Sequence, residues 1–257
     1  MKAMIFAAGL GTRLRPLTDT MPKALVPVRG VPMLGRVLGK LRDAGIDSFV
    51  VNVHHFAEQI EQYLSEHDFG VPVAVSREPG EPLETGGGIK HAVPLLHTDE
   101  GRFLVHNVDI LSDLDVRWFL TQDAPENLAT LLLIDAPADR CLLFDDDMRL
   151  VGWMRTSTGK VKSPFLPDFD PAKYRRYSFC GIHIVSDAVF GMMASWPEKF
   201  SIIDFYLSAC AAGTIRGVLA PDLHLIDIGS PEKLEEAQRW GRSIFRVDTF
   251  PAEIATQ

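Results

Sequence analysis

Short apolar segments alternate with helical patterns along the first half of the chain, and this alternation constrains the fold more than any other feature. The apolar segment Lys2–Ala7 is followed by apolar residues at helical spacing over Met33–Ala44, where Gly45 ends the pattern. Strand and helix patterns then alternate through the segments 48–53, 56–66, 71–75, 87–96 and 102–108. Because a helix that joins two strands packs on the sheet they form, we expect an α/β protein whose parallel sheet is covered on both faces. Ligands of such sheets bind at the carboxyl ends of the strands.

The second half of the chain has a more mixed pattern. Three consecutive aspartates at 145–147 lie inside the apolar region Cys141–Met154, which predicts a hairpin. The region Gly159–Pro171 is rich in glycine and proline and predicts a loop. The remaining segments predict strands at 129–134, 177–185, 215–219 and 223–228 and helices at 188–195, 202–212 and 231–240. No linker or repeat separates the two halves, so we expect a single domain over residues 1–257.

The composition excludes several classes of protein. The chain of 257 residues carries 26 Lys and Arg against 34 Asp and Glu, a net charge of −8, whereas nucleic-acid binding needs clustered positive charge. No apolar run approaches the roughly 18 residues of a membrane span, and Arg13 and Arg15 follow the apolar start too soon for a signal peptide. Cys141, Cys180 and Cys210 form no metal-binding spacing and indicate thiols in a reducing compartment. We therefore expect a cytoplasmic protein without nucleic-acid or membrane partners, either a monomer or a homo-oligomer.

A glycine-rich turn follows directly on the first predicted strand. The run GLGTR spans residues 9–13, and its glycines allow the backbone to bend tightly and to place N–H groups against phosphate oxygens. Arg13 offers a planar set of donors to the same anion, and Lys23 supplies a second positive charge. Taken alone, Gly9 and Gly11 are more typical of an ordinary turn beside two solvated cations. A dinucleotide fingerprint, and with it an NAD oxidoreductase, is excluded because Leu14 replaces the third glycine; the Gly-Lys-Ser/Thr of a Walker motif is also missing.

The longer run over 7–28 is far more specific. It reads G-x-G-T-R-x-x-P-L-T and then P-K-x-L-x-P-V, and it resembles the signature of the sugar-1-phosphate nucleotidylyltransferases, with Ala24 in place of a second proline. The resemblance extends over nearly the whole chain and implies a Rossmann-like nucleotidyltransferase (GT-A-like) fold, with a mostly parallel central sheet and helices on both faces. It implies that an NTP and a sugar 1-phosphate react to give an NDP-sugar and pyrophosphate. It also implies a nucleotide-binding half at 1–125, a sugar-binding half at 126–241 and a C-terminal tail at 242–257.

The same resemblance assigns roles to residues of the turn. Arg13 and Lys23 match the family's arginine and lysine, which bind and activate the phosphates, so both are expected to be catalytic. The nucleotide contacts that it implies in the turn are Ala8, Gly9, Gly11 and Thr12.

A second glycine-rich segment, EPLETGGGI at 81–89, lies at a predicted junction between a strand and a helix. Its glycines leave a bare backbone surface on which a nucleobase can lie, and a flexible loop with a glycine helix cap is the alternative. In the family the equivalent segment grips the base, which implies nucleotide contacts from Glu84, Thr85, Gly86 and Gly87. The run PLETGGGI resembles the N-acetylmuramic acid 1-phosphate uridylyltransferases of cell-wall recycling, whereas guanylyl- and adenylyltransferases tend to read L-G-T-A-G. The implied substrates are UTP and N-acetylmuramic acid 1-phosphate.

Two aspartates at predicted strand ends are candidate metal ligands. Asp109 follows the strand pattern RFLVHNV, and Asp227 lies in the run LIDIGS. Either one alone is typical of a strand-end turn, but two carboxylates suffice for Mg²⁺, which keeps several of its waters. Asn107 and Asp109 match the family's N-G-D, which implies that Asn107 binds the nucleotide and that Asp109 is catalytic. Val108 replaces the glycine of that motif, so a catalytically silent nucleotide-sugar sensor stays open as an alternative.

The segment YSFCGI at 177–182 matches a family segment that lines the sugar pocket, which implies sugar contacts from Cys180 and Gly181. An ordinary buried strand is the alternative. The carboxylate of muramic acid needs a cation or free N–H groups. Arg175 and Arg176 are candidates for that cation, although a solvated loop is the more typical role of such a pair. The sequence leaves the sugar open, so mannose-1-phosphate guanylyltransferase and glucose-1-phosphate thymidylyl- or uridylyltransferase activities are the alternatives.

Overall fold

The computed structural model describes residues 1–220 and 222–240, and this part of the chain contains fourteen strands and seven α-helices. The strands are β1 Lys2–Phe6, β2 Pro27–Val28, β3 Val31–Pro32, β4 Ser48–Val53, β5 Val73–Arg77, β6 Arg102–Asn107, β7 Ile110–Ser112, β8 Asn127–Ile134, β9 Arg140–Phe144, β10 Leu150–Arg155, β11 Lys160–Lys162, β12 Arg175–Ser186, β13 Thr214–Leu219 and β14 Leu225–Asp227. The helices are α1 Met33–Asp43, α2 Ala57–Glu66, α3 Glu84–Leu96, α4 Val116–Thr121, α5 Ala188–Met193, α6 Ile202–Ala209 and α7 Pro231–Arg239. The predicted C-terminal tail at 242–257 lies outside the described residues.

A mostly parallel sheet forms the centre of the molecule. β1 lies between β4 and β6 and runs parallel to both, and β5 extends the sheet beyond β4. On the other side of β6, β12 runs antiparallel, and β8 and β13 return to the direction of β1. All of these strands except β12 therefore point the same way, and their carboxyl ends meet along one edge of the sheet, where ligands of such folds bind.

Helices cover both faces of the sheet because the strands alternate their side chains between two hydrophobic cores. Along β1, Ala3 and Ile5 lie in one core and Met4 in the other, and all three are fully buried. The first core includes side chains of α1, α2, α4 and α7, and the second includes those of α3, α5 and α6. The predicted α/β, Rossmann-like architecture is therefore confirmed. Within the described residues, no helix is both long and apolar enough to cross a membrane.

The structure corrects several of the predicted elements. The hairpin predicted at 141–154 is confirmed as β9 and β10, but the loop predicted over Gly159–Pro171 contains β11, which pairs with β10. The helix predicted from Gly87 begins at Glu84 instead, because other segments pack on its glycines. The sequence patterns did not indicate β7 or α4, both of which are short.

Strand β12 and a small second sheet connect the two halves of the chain. The first residues of β12 pair with β9 and its last residues pair with β6 and β8. In the small sheet, β7 pairs with β14 and so brings Asp227 to the end of β6. There the Ile228 N–H donates to the Asp109 carbonyl at 2.9 Å. The division of the chain into halves near residue 125 stays a prediction.

Candidate active site

A cavity of about 210 Å³ opens at the carboxyl ends of β1, β4 and β6. The glycine-rich turn that follows β1 bounds it on one side and the start of α3 on the other. The predicted site residues that border it are Ala8, Gly9, Lys23, Glu84, Thr85, Asn107 and Asp109. Segments that are far apart in the sequence thus meet at the edge of the sheet where the strand alternation predicted a ligand site.

Two aspartates and two cations form an ion-pair cluster at this cavity. The Lys23 ammonium contacts the Asp109 carboxylate directly and lies 3.7 Å from Asp227 Oδ1. The Arg13 guanidinium lies 3.9 Å from Asp227 Oδ2. Lys23 is 12% exposed whereas Arg13 is 70% exposed, so Lys23 is held inside the cluster and Arg13 projects from it. The structure therefore brings together all four residues that the sequence predicted for phosphate and metal binding.

The two carboxylates of this cluster repel each other. Burial and the negative charge of Asp109 raise the pKa of Asp227, and the charges of Lys23 and Arg13 oppose this shift. Positive charge placed between the two carboxylates therefore stabilises the ionised form of each. Within the described residues no group of three or more metal-ligating side chains occurs, but Mg²⁺ binds through only one or two carboxylates together with waters and phosphates. Asp109 and Asp227 fit an ion of this kind.

The backbone of the glycine-rich turn is held by local contacts. Gly11 has φ +64°, and a side chain there would lie 3.0 Å from Thr18 Cγ2. The Thr18 hydroxyl donates to the Gly11 carbonyl at 2.8 Å, and Leu14 is buried beneath the turn. Thr12 is exposed, and a side chain at Gly9 would meet nothing within 4 Å. The turn therefore presents an open backbone at Gly9, next to the cavity.

Sequence reasoning missed the polar floor of the cavity, which Asn52 and Glu78 form. Asn52 Oδ1 accepts the Ala7 N–H at 2.7 Å, and Asn52 Nδ2 donates to Glu78 Oε1 at 2.6 Å. The other Glu78 oxygen accepts the Leu83 N–H at 2.9 Å, and Glu78 is only 5% exposed. These bonds join the ends of β1 and β4 to the segment that enters α3. The signal in the sequence was the asparagine that follows the apolar run FVV in the strand SFVVNV.

The glycines of α3 serve packing, which corrects the prediction of a bare surface for a base. The N–H groups of Gly86 and Gly87 both donate to the Phe200 carbonyl, at 2.9 and 3.1 Å. A side chain on Gly86 would lie 2.3 Å from the Phe200 ring, and one on Gly87 would lie 2.1 Å from the Glu198 carbonyl oxygen. Both glycines are buried by this segment, so neither offers backbone groups to the cavity. Glu84 and Thr85, which do border the cavity, are the remaining candidates for nucleotide contacts in this run.

The predicted sugar-binding residues Cys180 and Gly181 lie beside Asn107 and outside the cavity. Gly181 has φ +71°, and a side chain there would lie 2.4 Å from Asn107 Nδ2. Its role is therefore to make room for Asn107, which borders the cavity. The Cys180 side chain is buried, and burial raises the pKa of its thiol to about 12. The sugar contacts of Cys180 and Gly181 stay a prediction.

A larger cavity of about 620 Å³ lies next to the first, and Glu84 borders both. Its walls come from β9, β10, β11 and the start of α6. Arg175 and Arg176, the predicted candidates for a sugar cation, do not border it. Arg175 instead forms an ion pair with Asp146 at 3.1 Å. The cations that border the larger cavity are instead Arg140, Arg155, Lys160 and Lys162.

Comparison with known proteins identifies the family to which this chain belongs. Residues 2–140 match the family described as Nucleotidyl transferase. The chain belongs to this family. It is therefore an enzyme of the nucleotidyltransferase class, and the predicted resemblance to sugar-1-phosphate nucleotidylyltransferases is confirmed. Members of this family generally use a divalent metal ion.

Two relatives and one solved structure illustrate the likeness of this nucleotidyltransferase to known proteins. The N-acetylmuramate alpha-1-phosphate uridylyltransferase of Caulobacter vibrioides is 32% identical over 90% of this chain and 92% of its own length. The protein of the same name from Neisseria meningitidis serogroup B is 43% identical over 58% of this chain and 68% of its own length. A structure of UDP-glucose pyrophosphorylase from Acinetobacter baumanii superposes with a TM-score of 0.70 at 19% identity, over 92% of this chain and 91% of that one, and shows the same fold.

Proposed function

We propose that this enzyme transfers a uridylyl group from UTP to N-acetylmuramic acid 1-phosphate. The observation that carries the proposal is the cluster of Arg13, Lys23, Asp109 and Asp227 beside the open backbone of Gly9. This cluster offers two cations to phosphates and two carboxylates to a divalent metal ion. The two relatives named N-acetylmuramate alpha-1-phosphate uridylyltransferase support the choice of UTP and of a muramic acid phosphate.

The proposed reaction takes place at the α-phosphorus of UTP. An oxygen of the sugar 1-phosphate attacks this phosphorus in line with the bond to the β-phosphate, and that bond breaks as pyrophosphate leaves with the electron pair. The attacking oxygen is already anionic, so no side chain has to act as a nucleophile or base, and positioning with charge neutralisation suffices. Arg13 stabilises the charge that develops on the phosphates, and Lys23 binds phosphate oxygens. Mg²⁺, held by Asp109 and Asp227, would supply Lewis-acid neutralisation of the same oxygens.

The uracil base is proposed to lie in the 210 Å³ cavity, between the end of β1 and the start of α3. Pro82, Glu84, Thr85 and Asn107 border this space. The Asn107 amide offers both a donor and an acceptor, and the Glu84 carboxylate offers acceptors, so together they match the N3–H and the carbonyl groups of uracil. A purine presents a different donor pattern and needs more room.

Val108 bears on the alternative of a catalytically silent sensor. Its N–H donates to the Phe6 carbonyl at 3.2 Å, and its side chain is only 4% exposed and packs into the hydrophobic core. The valine therefore fits the end of β6 without displacing Asp109 from Lys23. This observation supports an active enzyme over a silent sensor.

The proposed location is the cytoplasm. Cys141, Cys180 and Cys210 are all free thiols, and the first two are buried. Free thiols are typical of proteins that work in a reducing compartment. This observation supports the location but is independent of the proposed reaction.

A steady-state assay of pyrophosphate release tests the proposed reaction. UTP, GTP, dTTP and CTP are each combined with the 1-phosphates of N-acetylmuramic acid, mannose and glucose, in the presence of Mg²⁺. We expect kcat/KM to be at least about tenfold higher for UTP with N-acetylmuramic acid 1-phosphate than for any other pair, which corresponds to about 1.4 kcal/mol of transition-state discrimination. A preference for GTP with mannose 1-phosphate would contradict the substrate assignment. Nucleotide binding by calorimetry without pyrophosphate release from any pair would favour the silent sensor.

A further inference from the structure

Three cations stand in one row across β9, β10 and β11, on the wall of the 620 Å³ cavity. In the register of the sheet, Arg155 lies opposite Arg140 on one side and opposite Lys160 on the other. All three border the cavity. Like charges directly opposite each other on neighbouring strands destabilise a sheet. The row therefore costs stability in the free protein, and an anion bound in the cavity would offset that cost.

The protein itself neutralises this row only in part. Within residues 1–220 and 222–240, neither Arg140 nor Lys160 takes part in an ion pair. The buried Nε of Arg155 faces the Asp139 carboxylate, but it lies 3.6 Å from Asp139 Oδ2, beyond hydrogen-bonding distance, and donates no hydrogen bond within the described residues. A buried donor without a hydrogen bond is costly, and an anion bound in the cavity would supply the acceptor that Asp139 does not.

The rest of the cavity indicates what kind of ligand carries this anion. The next row on the same face of the sheet consists of Leu142, Trp153 and Lys162, which also border the cavity. Lys162 is already paired with Asp204 at 2.6 Å and lies 5.5 Å from the centre of the Trp153 ring. The indole and the leucine form an apolar surface directly beside the cationic row. A ligand with both an apolar face and an anionic substituent matches this arrangement.

The position of the cavity connects it to the reacting phosphates. Glu84 borders both cavities, so a sugar in the larger one lies next to a nucleotide in the smaller one. Glu84 and Asp204 are the acidic residues on the wall, and Lys162 neutralises Asp204. Four cations thus face two carboxylates on the wall, and Asp139 beside Arg155 adds a third negative charge, so positive charge stays in excess.

We propose that Arg140, Arg155 and Lys160 bind the carboxylate of an acidic sugar 1-phosphate and thereby select it over neutral sugar phosphates. Arginine presents a planar pair of donors that matches the two oxygens of a carboxylate. The proposal rests on the proposed function, because it assigns the sugar end of the same reaction. In this proposal Arg140, Arg155 and Lys160 take the role in muramic acid recognition for which the sequence suggested Arg175 and Arg176.

A comparison of two sugar 1-phosphates tests whether Arg140, Arg155 and Lys160 recognise the carboxylate. N-acetylmuramic acid 1-phosphate and N-acetylglucosamine 1-phosphate differ only in the lactyl group that carries the carboxylate. We expect Arg140→Gln and Lys160→Gln each to lower kcat/KM for the acidic sugar about tenfold or more, mainly through KM, and to change it less than about twofold for the neutral sugar. Arg149→Gln, in the turn of the same hairpin and outside the cavity, is the matched control and should leave both values unchanged. Thermal melting checks that every variant is folded.

Each of the other possible results of these assays also decides for or against the proposal. An equal loss for both sugars, or no loss for either, overturns the proposal while the wild-type assay still shows the proposed function. If free lactate stimulates the wild type with the neutral sugar, and Arg140→Gln abolishes that stimulation, the row binds an effector anion and substrate selection is overturned. If the wild type releases pyrophosphate from neither sugar, the proposed function fails. In that case calorimetry with the two sugar phosphates still tests the role of the three cations. We expect Arg140→Gln to bind the acidic sugar phosphate more weakly than the wild type does and to bind the neutral one equally well.

Discussion

The two cations of the active-site cluster differ in exposure, and the difference assigns them different roles. Lys23 is buried against Asp109 and Asp227, where it neutralises two carboxylates. Arg13 is 70% exposed and contacts only the edge of the cluster, at 3.9 Å from Asp227. A buried cation contributes to the ground-state structure of the site, whereas an exposed one is free to follow charge that develops on a substrate.

The first prediction concerns Arg13. Arg13→Ala should lower kcat about a hundredfold or more, the scale of losing one contact to transition-state charge, with little change in melting temperature. Arg15→Ala is the matched control, because Arg15 is equally exposed in the same turn and pairs with Asp19 at 3.2 Å. Steady-state kinetics with both variants measure the effect. Turnover of Arg13→Ala close to that of the wild type would show that Arg13 plays no catalytic role.

The second prediction concerns the two carboxylates. Asp109→Asn and Asp227→Asn each keep the side-chain shape but lose the charge that holds Mg²⁺, so each should raise the Mg²⁺ concentration needed for half-maximal activity and nearly abolish turnover. Asp43→Asn, at the end of α1, is the control and should behave as the wild type. The measurement is activity as a function of Mg²⁺ concentration. An Asp109→Asn variant with the Mg²⁺ dependence of the wild type would contradict the ligand assignment.

At the scale of elements, the glycine run of α3 shows how packing decides a structure that local propensity does not. Glycine disfavours a helix interior, so the sequence predicts that the helix begins late, at Gly87. In the structure the helix begins at Glu84, because Gly86 and Gly87 allow the segment at 198–200 to lie directly on its backbone. That segment lies more than a hundred residues away in the chain, so the contact is invisible to local patterns.

The third prediction tests this packing role. A side chain at Gly87 would lie 2.1 Å from a backbone oxygen that has no room to move, so Gly87→Ala should destabilise the fold by about 2 kcal/mol or more. Gly191→Ala, in the exposed part of α5 with open space around it, should instead stabilise the fold by about 0.5–1 kcal/mol. Urea unfolding of both variants measures the two changes. Equal effects would show that the glycine at position 87 is not required for packing.

The contrast between local sequence patterns and contacts made by distant segments also explains how much of the site the sequence could predict. Arg13, Lys23 and Asp109 each lie in or near a motif that follows a strand, so their convergence follows from the sheet alone. Asn52 and Glu78 escaped prediction because one polar residue in a strand does not distinguish a cavity floor from an ordinary buried hydrogen bond. Arg140, Arg155 and Lys160 escaped it because their alignment depends on the register of three strands and on β11, which lies in a region that reads as a loop.

At the scale of the whole molecule, two buried histidines lie where the halves of the chain share a sheet. His106 is on β6 and His183 on the adjacent β12, and they are 2% and 1% exposed. Burial lowers the pKa of His106 to about 4, and burial together with the charge of His106 lowers that of His183 to about 3. The Tyr206 hydroxyl lies within hydrogen-bonding distance of His183 Nδ1, at 2.9 Å, and no carboxylate in the described part of the chain pairs with His183. Both imidazoles are therefore neutral in the folded protein at neutral pH.

The last prediction follows from the lowered pKa values of His106 and His183. In the unfolded chain both histidines titrate near their usual pKa of about 6.5, so between that pH and about 4 the unfolded state binds more protons than the folded state. The free energy of unfolding should therefore fall as the pH falls below about 6.5, by about 1.4 kcal/mol per pH unit for each histidine. Between pH 7.5 and pH 5 this amounts to about 2 kcal/mol for each. Urea unfolding at the two pH values measures it, and His183→Gln should lose about 2 kcal/mol less than the wild type, because glutamine does not titrate. NMR titration of the wild type provides a test that needs no variant: imidazole signals of His106 and His183 that shift between pH 7 and pH 5.5 would contradict the prediction, since both rings should stay neutral across that range.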